Sequence, residues 1–126
     1  MPGGKRARKA VEYAVGGAWP HAVMEPHRGA LVAQAIARRL ADVMTEQQLS
    51  ANALAHRSGV NRQVITNVLN GQVWPDMLTV VDLEGALGVM LWPEHAQWRI
   101  PSPAEAPDGV SEEAVRGDGR AQGDAE

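Results

Sequence analysis

Apolar side chains recur at helical spacing through the middle of the chain, and the two ends lack such a pattern. A first set of apolar residues recurs at steps of three to five, which predicts an amphipathic helix over about 30–46. No alternating strand pattern of useful length interrupts the region from 29 to 100. We therefore predict an all-α core of about 70 residues, which is enough for an autonomous domain. The apolar residues of the first helix are Leu31, Ile36, Leu40, Val43 and Met44.

Two short helices follow, over 51–57 and 62–70, and a tight turn separates them. Ser and Asn are good N-cap residues because their side-chain oxygens accept hydrogen bonds from free backbone N–H groups. Gly ends helices because it readily adopts the left-handed conformation. The candidate caps are Ser50 and Asn61, and the candidate ends are Gly59 and Gly71.

A fourth helix is predicted over 77–87, because Trp74-Pro75-Asp76 is a typical turn-and-cap sequence and Gly88 follows. Pro93 can start a short fifth helix that ends at Trp98. The side chains that the fourth helix offers for burial are Leu78, Val81, Leu83 and Leu87.

The two ends of the chain differ in charge from the core and from each other. Residues 1–28 have a net charge of +3, residues 29–100 of −1 and residues 101–126 of −5. Gly and Pro interrupt the first segment, which we interpret as a basic N-terminal arm, although a brief alternation around Tyr13 could form a short strand. The last segment has almost no bulky apolar residue, so we predict a flexible, disordered acidic tail.

Composition excludes several classes of protein. The chain has no cysteine, so disulfides, thiolate metal sites and cysteine nucleophiles are ruled out, and a reducing cytoplasm is the expected location. No apolar run approaches the roughly 20 residues that span a bilayer. The four histidines share no spacing typical of metal ligands, and no Ser-His-Asp arrangement can be assembled. We expect no metal, no cofactor and no enzymatic activity.

The second and third helices form a helix-turn-helix, which is two short helices joined by a three- or four-residue turn that contains Gly. Ala55 is small where the helices cross, Val60 fills the space between them and Ile65 anchors the third helix from beneath. The side chains left facing outward are polar. Arg pairs well with guanine in the major groove, and Gln or Asn pairs well with adenine. This outward row comprises Arg62, Gln63, Thr66 and Asn67.

The stretch Leu54–Gly71 resembles the XRE family of Cro- and lambda-repressor-like transcriptional regulators, which dock on DNA with the second helix of this motif in the major groove. The resemblance extends over about 36–91, and it implies a lambda-repressor-like domain of four to five helices. It also implies that Arg62, Gln63 and Asn67 reach bases, and that Thr66 lies near the backbone or a thymine methyl. Residues expected near phosphates are Ala51, Asn52, Asn61, Asn70 and Gln72.

One position pair departs from the family pattern. Many members pair an Arg late in the first helix with a Glu near the end of the third, and this chain has Met44 and Leu69 there. Replacement of a buried ion pair by apolar side chains of similar volume is often neutral or stabilising. We interpret Met44 and Leu69 as a packed substitute for the ion pair.

Basic and aromatic residues outside the helix-turn-helix allow two interpretations each. A cluster in the first ten residues could follow DNA phosphates, or it could simply make the N-terminus soluble. Trp74 and Trp92 are expected in the core or at its rim, and Trp98 could instead lie in a dimer contact. The four basic residues that could contact DNA from the arm are Lys5, Arg6, Arg8 and Lys9.

The sequence predicts a transcriptional regulator that reads double-stranded DNA with the helix at 62–70. We expect a cytoplasmic, nucleoid-associated homodimer on two half-sites about one helical turn apart. An antitoxin that holds a toxin through its termini or fifth helix and autoregulates its operon is an alternative. A third hypothesis is a protein-interaction domain that has lost DNA contact.

Overall fold

The computed structural model describes residues 8–101, most of which lie in five helices. A 3₁₀ turn at Ala10–Tyr13 and two short strands precede the helices. The strands β1 and β2 pair in an antiparallel way, with a register shift between Ala14 and Gly16. The all-α prediction is confirmed for the core, to which the structure adds this small sheet. The elements are β1 (Ala14–Gly16), β2 (Val23–Met24), α1 (Arg28–Glu46), α2 (Ala51–Ser58), α3 (Arg62–Leu69), α4 (Met77–Leu87) and α5 (His95–Trp98).

Side-chain caps fix where the helices begin, as the sequence predicted. The Ser50 hydroxyl accepts from the backbone N–H of Ala53 at 3.0 Å, and Asn61 Oδ1 accepts from that of Gln63 at 2.7 Å. Helix α1 begins two residues earlier than expected, because His27 Nδ1 accepts from the Ala30 N–H at 3.0 Å. Gly59 and Gly88 adopt left-handed conformations after α2 and α4, with φ of 80° and 72°.

The core lies where α1 to α4 meet. Ile65 is fully buried beneath α3, and Val60 is buried between α2 and α3, as predicted from the motif. Removal of such apolar surface from water is the main favourable contribution to folding. The largest fully buried side chains are Ile36, Leu40, Leu54, Ile65, Leu83, Leu91 and Val43.

The burial predicted for helix α4 is only partly right, because only one of its apolar faces lies in the core. Leu83 and Leu87 lie in the core as expected, together with Val80. Leu78 and Val81 were also predicted to be available for burial, and they are 74% and 55% exposed. Residues at spacings of three and four share one helix face. The core therefore takes the face at 80, 83 and 87, and the neighbouring apolar face remains in solvent.

Residues 8–26, called here the N-terminal segment, pack against the helical domain instead of extending away from it. Ala10 and Ala22 are buried, and the buried Gln34 of α1 donates to the Ala22 carbonyl oxygen at 2.6 Å. These contacts cross the boundary that the sequence analysis placed at residue 29. The residues that join the segment to the domain are far apart in sequence, so local patterns did not reveal the contact.

No helix in the part of the chain that the structure describes is both long and apolar enough to cross a membrane. The predicted acidic tail, apart from Pro101, lies outside the described residues.

Candidate DNA-binding surface

Helix α3 presents the predicted polar row on the side opposite the core. Ile65 and Val68 are buried beneath the helix, which fixes its rotation about its own axis. Arg62 and Gln63 are consequently exposed, and Thr66 and Asn67 are half-buried on the following turn. The structure thus brings together the four side chains to which the sequence assigned base contacts.

The polar row has a defined hydrogen-bonding pattern. The Gln63 side-chain NH₂ donates to Asn67 Oδ1 at 3.1 Å, across one helical turn. Within residues 8–101 this contact leaves the Gln63 carbonyl oxygen as an acceptor and the Asn67 NH₂ as a donor. Arg62 makes no hydrogen bond or ion pair with any described residue, so all five of its N–H donors remain available.

The residues predicted near phosphates lie around the two ends of the helix-turn-helix. Because the Ser50 hydroxyl already caps the Ala53 N–H, the backbone N–H groups of Ala51 and Asn52 remain as donors at the start of α2. The Asn61 side chain is occupied as the cap of α3. Asn70 and Gln72 are exposed at the other end of α3.

The N-terminal segment holds the C-terminal end of α3, a contact that the sequence did not predict. The Trp19 indole N–H donates to the Leu69 carbonyl oxygen at 2.9 Å, and the Val11 N–H donates to that of Gly71 at 3.0 Å. The first bond satisfies a carbonyl group that the helix end leaves without an intrahelical partner, and the second joins the segment to the turn after α3. The segment therefore fixes the end of the helix that carries the polar row.

Two of the four basic arm residues lie in the described part of the chain. Lys9 Nζ donates to Gln72 Oε1 at 2.9 Å, which places an ammonium group at the end of α3. Arg8 instead forms an ion pair with Glu25 at 2.8 Å and lies over the Tyr13 ring at 4.0 Å. The hydrogen bond with Glu25 raises the pKa of Arg8, and the same bond lowers the pKa of Glu25. Lys5 and Arg6 lie outside the described residues.

Met44 and Leu69 occupy neighbouring positions at the junction of α1 and α3. Met44 belongs to the buried core, and the half-buried Leu69 packs against this core. Both side chains line one groove between the helices. This arrangement agrees with the apolar substitute for an ion pair that the sequence suggested.

Comparison with known proteins identifies the family. A helix-turn-helix family model matches residues 33–90. The restriction-modification controller protein C.AhdI from Aeromonas hydrophila is 30% identical over 48% of this chain and 89% of its own, with a TM-score of 0.43. The chain belongs to the XRE-type helix-turn-helix family. A search of curated proteins gave no match.

As a member of this family, the protein is a DNA-binding transcriptional regulator. The family match begins within α1 and ends after α4. The N-terminal segment and α5 therefore lie outside the part that the family model describes. This difference explains why the family resemblance did not reveal the contact between the N-terminal segment and α3.

Proposed function

We propose that α3 lies in the major groove and reads bases with Arg62, Gln63, Thr66 and Asn67. The observation that carries this proposal is the exposed polar row above the buried Ile65. The acceptor of Gln63 and the donor of Asn67 match the N6 donor and N7 acceptor of adenine, and the Arg62 guanidinium matches guanine. Regulation then follows from blocking or aiding polymerase at the bound site in the cytoplasm.

The phosphate contacts are proposed at both ends of the helix-turn-helix. The free N–H groups of Ala51 and Asn52 lie at the positive end of α2, which favours an anion. Asn61, Asn70 and Gln72 flank α3 and would contact phosphates beside the groove. Lys9 adds a positive charge next to Gln72, and Arg8, Lys5 and Arg6 complete the proposed contribution of the arm.

The first experiment selects bound DNA from a random pool and then measures the affinity of variants for the selected site. Arg62→Ala and Gln63→Ala should each cost about 1–3 kcal/mol of binding free energy and relax base preference at one position. Arg38→Ala removes the same charge from α1, outside the helix-turn-helix, and serves as the control. Full affinity and unchanged base preference in both α3 variants would contradict the assignment of reading residues.

The antitoxin and DNA-free hypotheses are separated from this proposal by binding assays. A gel shift at low salt that shows no DNA affinity would leave only the protein-interaction domain. Specific DNA binding together with a stable complex with the product of a neighbouring toxin gene would favour the antitoxin. No contact within residues 8–101 favours either alternative over the regulator, and both stay predictions from the sequence.

We further propose a symmetric homodimer that forms through the exposed face of α4. Five of the eight large apolar side chains exposed in the described chain lie on α4 or just after it. Met77, Val81, Met90 and Trp92 line one apolar groove there, of about 510 Å³. Monomeric proteins rarely leave such a patch in solvent. Trp98, for which the sequence allowed a dimer contact, is partly buried against the core and is not part of this proposed face.

The oligomeric state tests this face directly. Sedimentation should show a dimer for the natural chain, and Val81→Glu should dissociate it by placing a charge in the apolar contact. Val23→Glu changes an exposed apolar residue of β2 in the same way and should leave the dimer intact. A monomeric natural chain, or a Val81→Glu variant that remains dimeric, would exclude this interface.

A further inference from the structure

A second cavity lies on the side of α1 that faces the loop after α3. Its volume is about 290 Å³, close to the lower limit of small-molecule sites. Three of the four tryptophans contribute to its walls, and α1 supplies a floor of aliphatic side chains. The tryptophans come from different parts of the chain, so the cavity exists only in the folded protein. It is lined by Arg28, Gly29, Val32, Ala33, Ile36, Trp74, Pro75, Trp92 and Trp98.

Arg28 is the only charged side chain among these lining residues, all of which lie in the described part. It is exposed, and within residues 8–101 its guanidinium has no hydrogen-bond or ion-pair partner. A guanidinium without a carboxylate partner is suited to a carboxylate or similar anion, which it can bind with two parallel hydrogen bonds.

Two of the three tryptophans that line the cavity have their indole N–H groups directed to backbone carbonyl oxygens. The Trp74 indole N–H donates to the Arg8 carbonyl oxygen at 2.9 Å. The Trp98 indole N–H is directed to the Pro93 carbonyl oxygen at 3.4 Å. Flat aromatic faces pack best against another aromatic ring. The cavity therefore combines aromatic walls with one cation at its edge.

We propose that this cavity binds a small planar aromatic anion, with its ring among the tryptophans and its acidic group on Arg28. The remaining segments of the chain are poor occupants, because neither residues 1–7 nor residues 102–126 contain an aromatic side chain. The site is separate from α3, so its existence does not depend on the proposed reading residues.

Occupancy of the cavity is linked to the DNA-binding end of α3 through Trp74. This side chain forms a wall of the cavity and also holds Arg8 at the start of the N-terminal segment. It contacts Tyr13 edge-on, with ring centroids 6.0 Å apart. A ligand that favours one position of Trp74 would therefore shift the N-terminal segment and change the affinity of the protein for DNA. The size of this change depends on how strongly the ligand prefers that position of Trp74. This second consequence rests on the proposed function.

The test uses 1-naphthoate and its neutral analogue 1-naphthalenemethanol as probes, with calorimetry on the full chain without DNA. The acid should bind up to about fivefold more tightly than the alcohol, since an ion pair with an exposed arginine contributes about 0.2–1 kcal/mol. Arg28→Gln should abolish this preference, and Arg38→Gln, which changes another arginine of α1, should preserve it. Equal binding of the two probes, no binding of either, or an unaltered preference in Arg28→Gln would overturn the proposal.

Two further measurements locate the site. In ¹H–¹⁵N spectra, naphthoate should shift the indole signals of Trp74 and Trp98, which line this cavity and not the groove on α4, more than that of Trp19, which is outside it. Ala33→Leu should fill the cavity and remove binding of both probes. If that variant unfolds, the indole shifts and the Arg28→Gln result still decide the question. Shifts dominated by Trp19 would contradict the proposed location.

The link to DNA is measured separately, as the affinity for the selected site with and without saturating naphthoate. A change in affinity that Arg28→Gln removes would support the link. Naphthoate binding with unchanged DNA affinity would exclude the link and leave the site intact. Loss of DNA binding in general, with naphthoate still bound, would refute the proposed function alone.

Discussion

Gly71 lies where the end of α3 meets the N-terminal segment, and its backbone and its surroundings both exclude a side chain. Its φ is +69°, in the left-handed region that L residues rarely adopt. A Cβ placed on it would lie 2.8 Å from the Trp19 ring and 2.9 Å from Val11. The missing side chain therefore allows the segment to approach the helix.

We predict that Gly71→Ala destabilises the protein more than Gly88→Ala does. Gly88 has a similar φ of +72°, and a Cβ added to it would meet no atom within 4 Å, so Ala there costs only the backbone penalty of about 1–2 kcal/mol. Gly71→Ala adds an overlap with Trp19, for which overpacking costs suggest about 1–3 kcal/mol more. Urea denaturation of both variants measures the difference. Equal losses would mean that the segment moves aside without cost.

Asp76 makes the start of α4 sensitive to acid. The Thr79 backbone N–H, followed by the Thr79 hydroxyl, lowers the pKa of Asp76 from its ordinary value of 3.8. Because the folded pKa is lower than the unfolded one, this stabilisation is present above pH 3.8 and is lost as the pH falls through the folded pKa. We predict that the melting temperature falls over this range and falls less steeply in Asp76→Asn, which keeps the cap without the charge. An identical acid slope in Asp76→Asn would assign the effect to other carboxylates, such as Glu25.

At the residue scale, short-range chemistry determined what the sequence could predict. Ser50 and Asn61 bond to backbone groups two or three residues away, so the sequence reveals both donor and acceptor. The exposure of Arg62 and Gln63 followed from the apolar spacing around Ile65. The Lys9–Gln72 contact joins residues 63 apart, and nothing local in either region indicates the other.

The helix-turn-helix elements could be predicted closely, because each has both a cap and a one-sided apolar pattern. Helix α4 could be located but not oriented about its axis. It is apolar on two neighbouring faces, so its spacing permits burial of Leu78 and Val81 as well as of Val80 and Leu83. Packing against α1 to α3 decides which of the two faces is buried. The sequence of α4 alone does not contain that information.

The N-terminal segment could not be predicted as a packed element for a related reason. Its 3₁₀ turn and its strands of three and two residues are too short to be stable alone. Contacts with α1 and the end of α3 hold it in place. Its Gly and Pro content, which suggested an arm, instead allows the tight turns of a small packed unit.

We predict that Trp19→Phe loosens the end of α3 without unfolding the domain. Phe keeps most of the ring and removes the N–H that bonds to the Leu69 carbonyl oxygen. The loss should cost about 1–3 kcal/mol, because it leaves the Leu69 carbonyl oxygen without its partner. Hydrogen exchange should accelerate at residues 70–72 and remain unchanged in α4. Trp98→Phe, a matched change at the end of α5, should not affect residues 70–72, and equal acceleration in both variants would rule out a local role for Trp19.

At the scale of the whole molecule, positive charge is concentrated near the N-terminus. Residues 1–28 have a net charge of +3 in a chain whose total is −3. Release of counterions from DNA supplies most nonspecific affinity, and it depends on how many phosphates the protein neutralises. The fold brings Lys9 to the end of α3, where this charge lies beside the proposed DNA-binding surface.

We predict that Lys9→Ala weakens binding about equally for all DNA sequences and lowers the slope of log affinity against log salt by about 1. Arg39→Ala removes an exposed positive charge that lies beside the Met90 carbonyl oxygen, after α4, and should leave the slope nearly unchanged. Fluorescence anisotropy over a salt series measures both variants. A Lys9→Ala slope equal to that of the natural chain would show that Lys9 does not contact phosphate.

The packing of the N-terminal segment also has a practical consequence for mapping the complex. The Val11 N–H bonds to the Gly71 carbonyl oxygen, which keeps position 9 near the end of α3 even without the Lys9 side chain, and the chain has no cysteine of its own. A single thiol introduced at position 9 would therefore be the only attachment point for a DNA-cleaving iron chelate. Strand scission from that chelate would mark the bases nearest the C-terminal end of α3. The cut positions on the two strands would then give the direction in which α3 lies along the DNA.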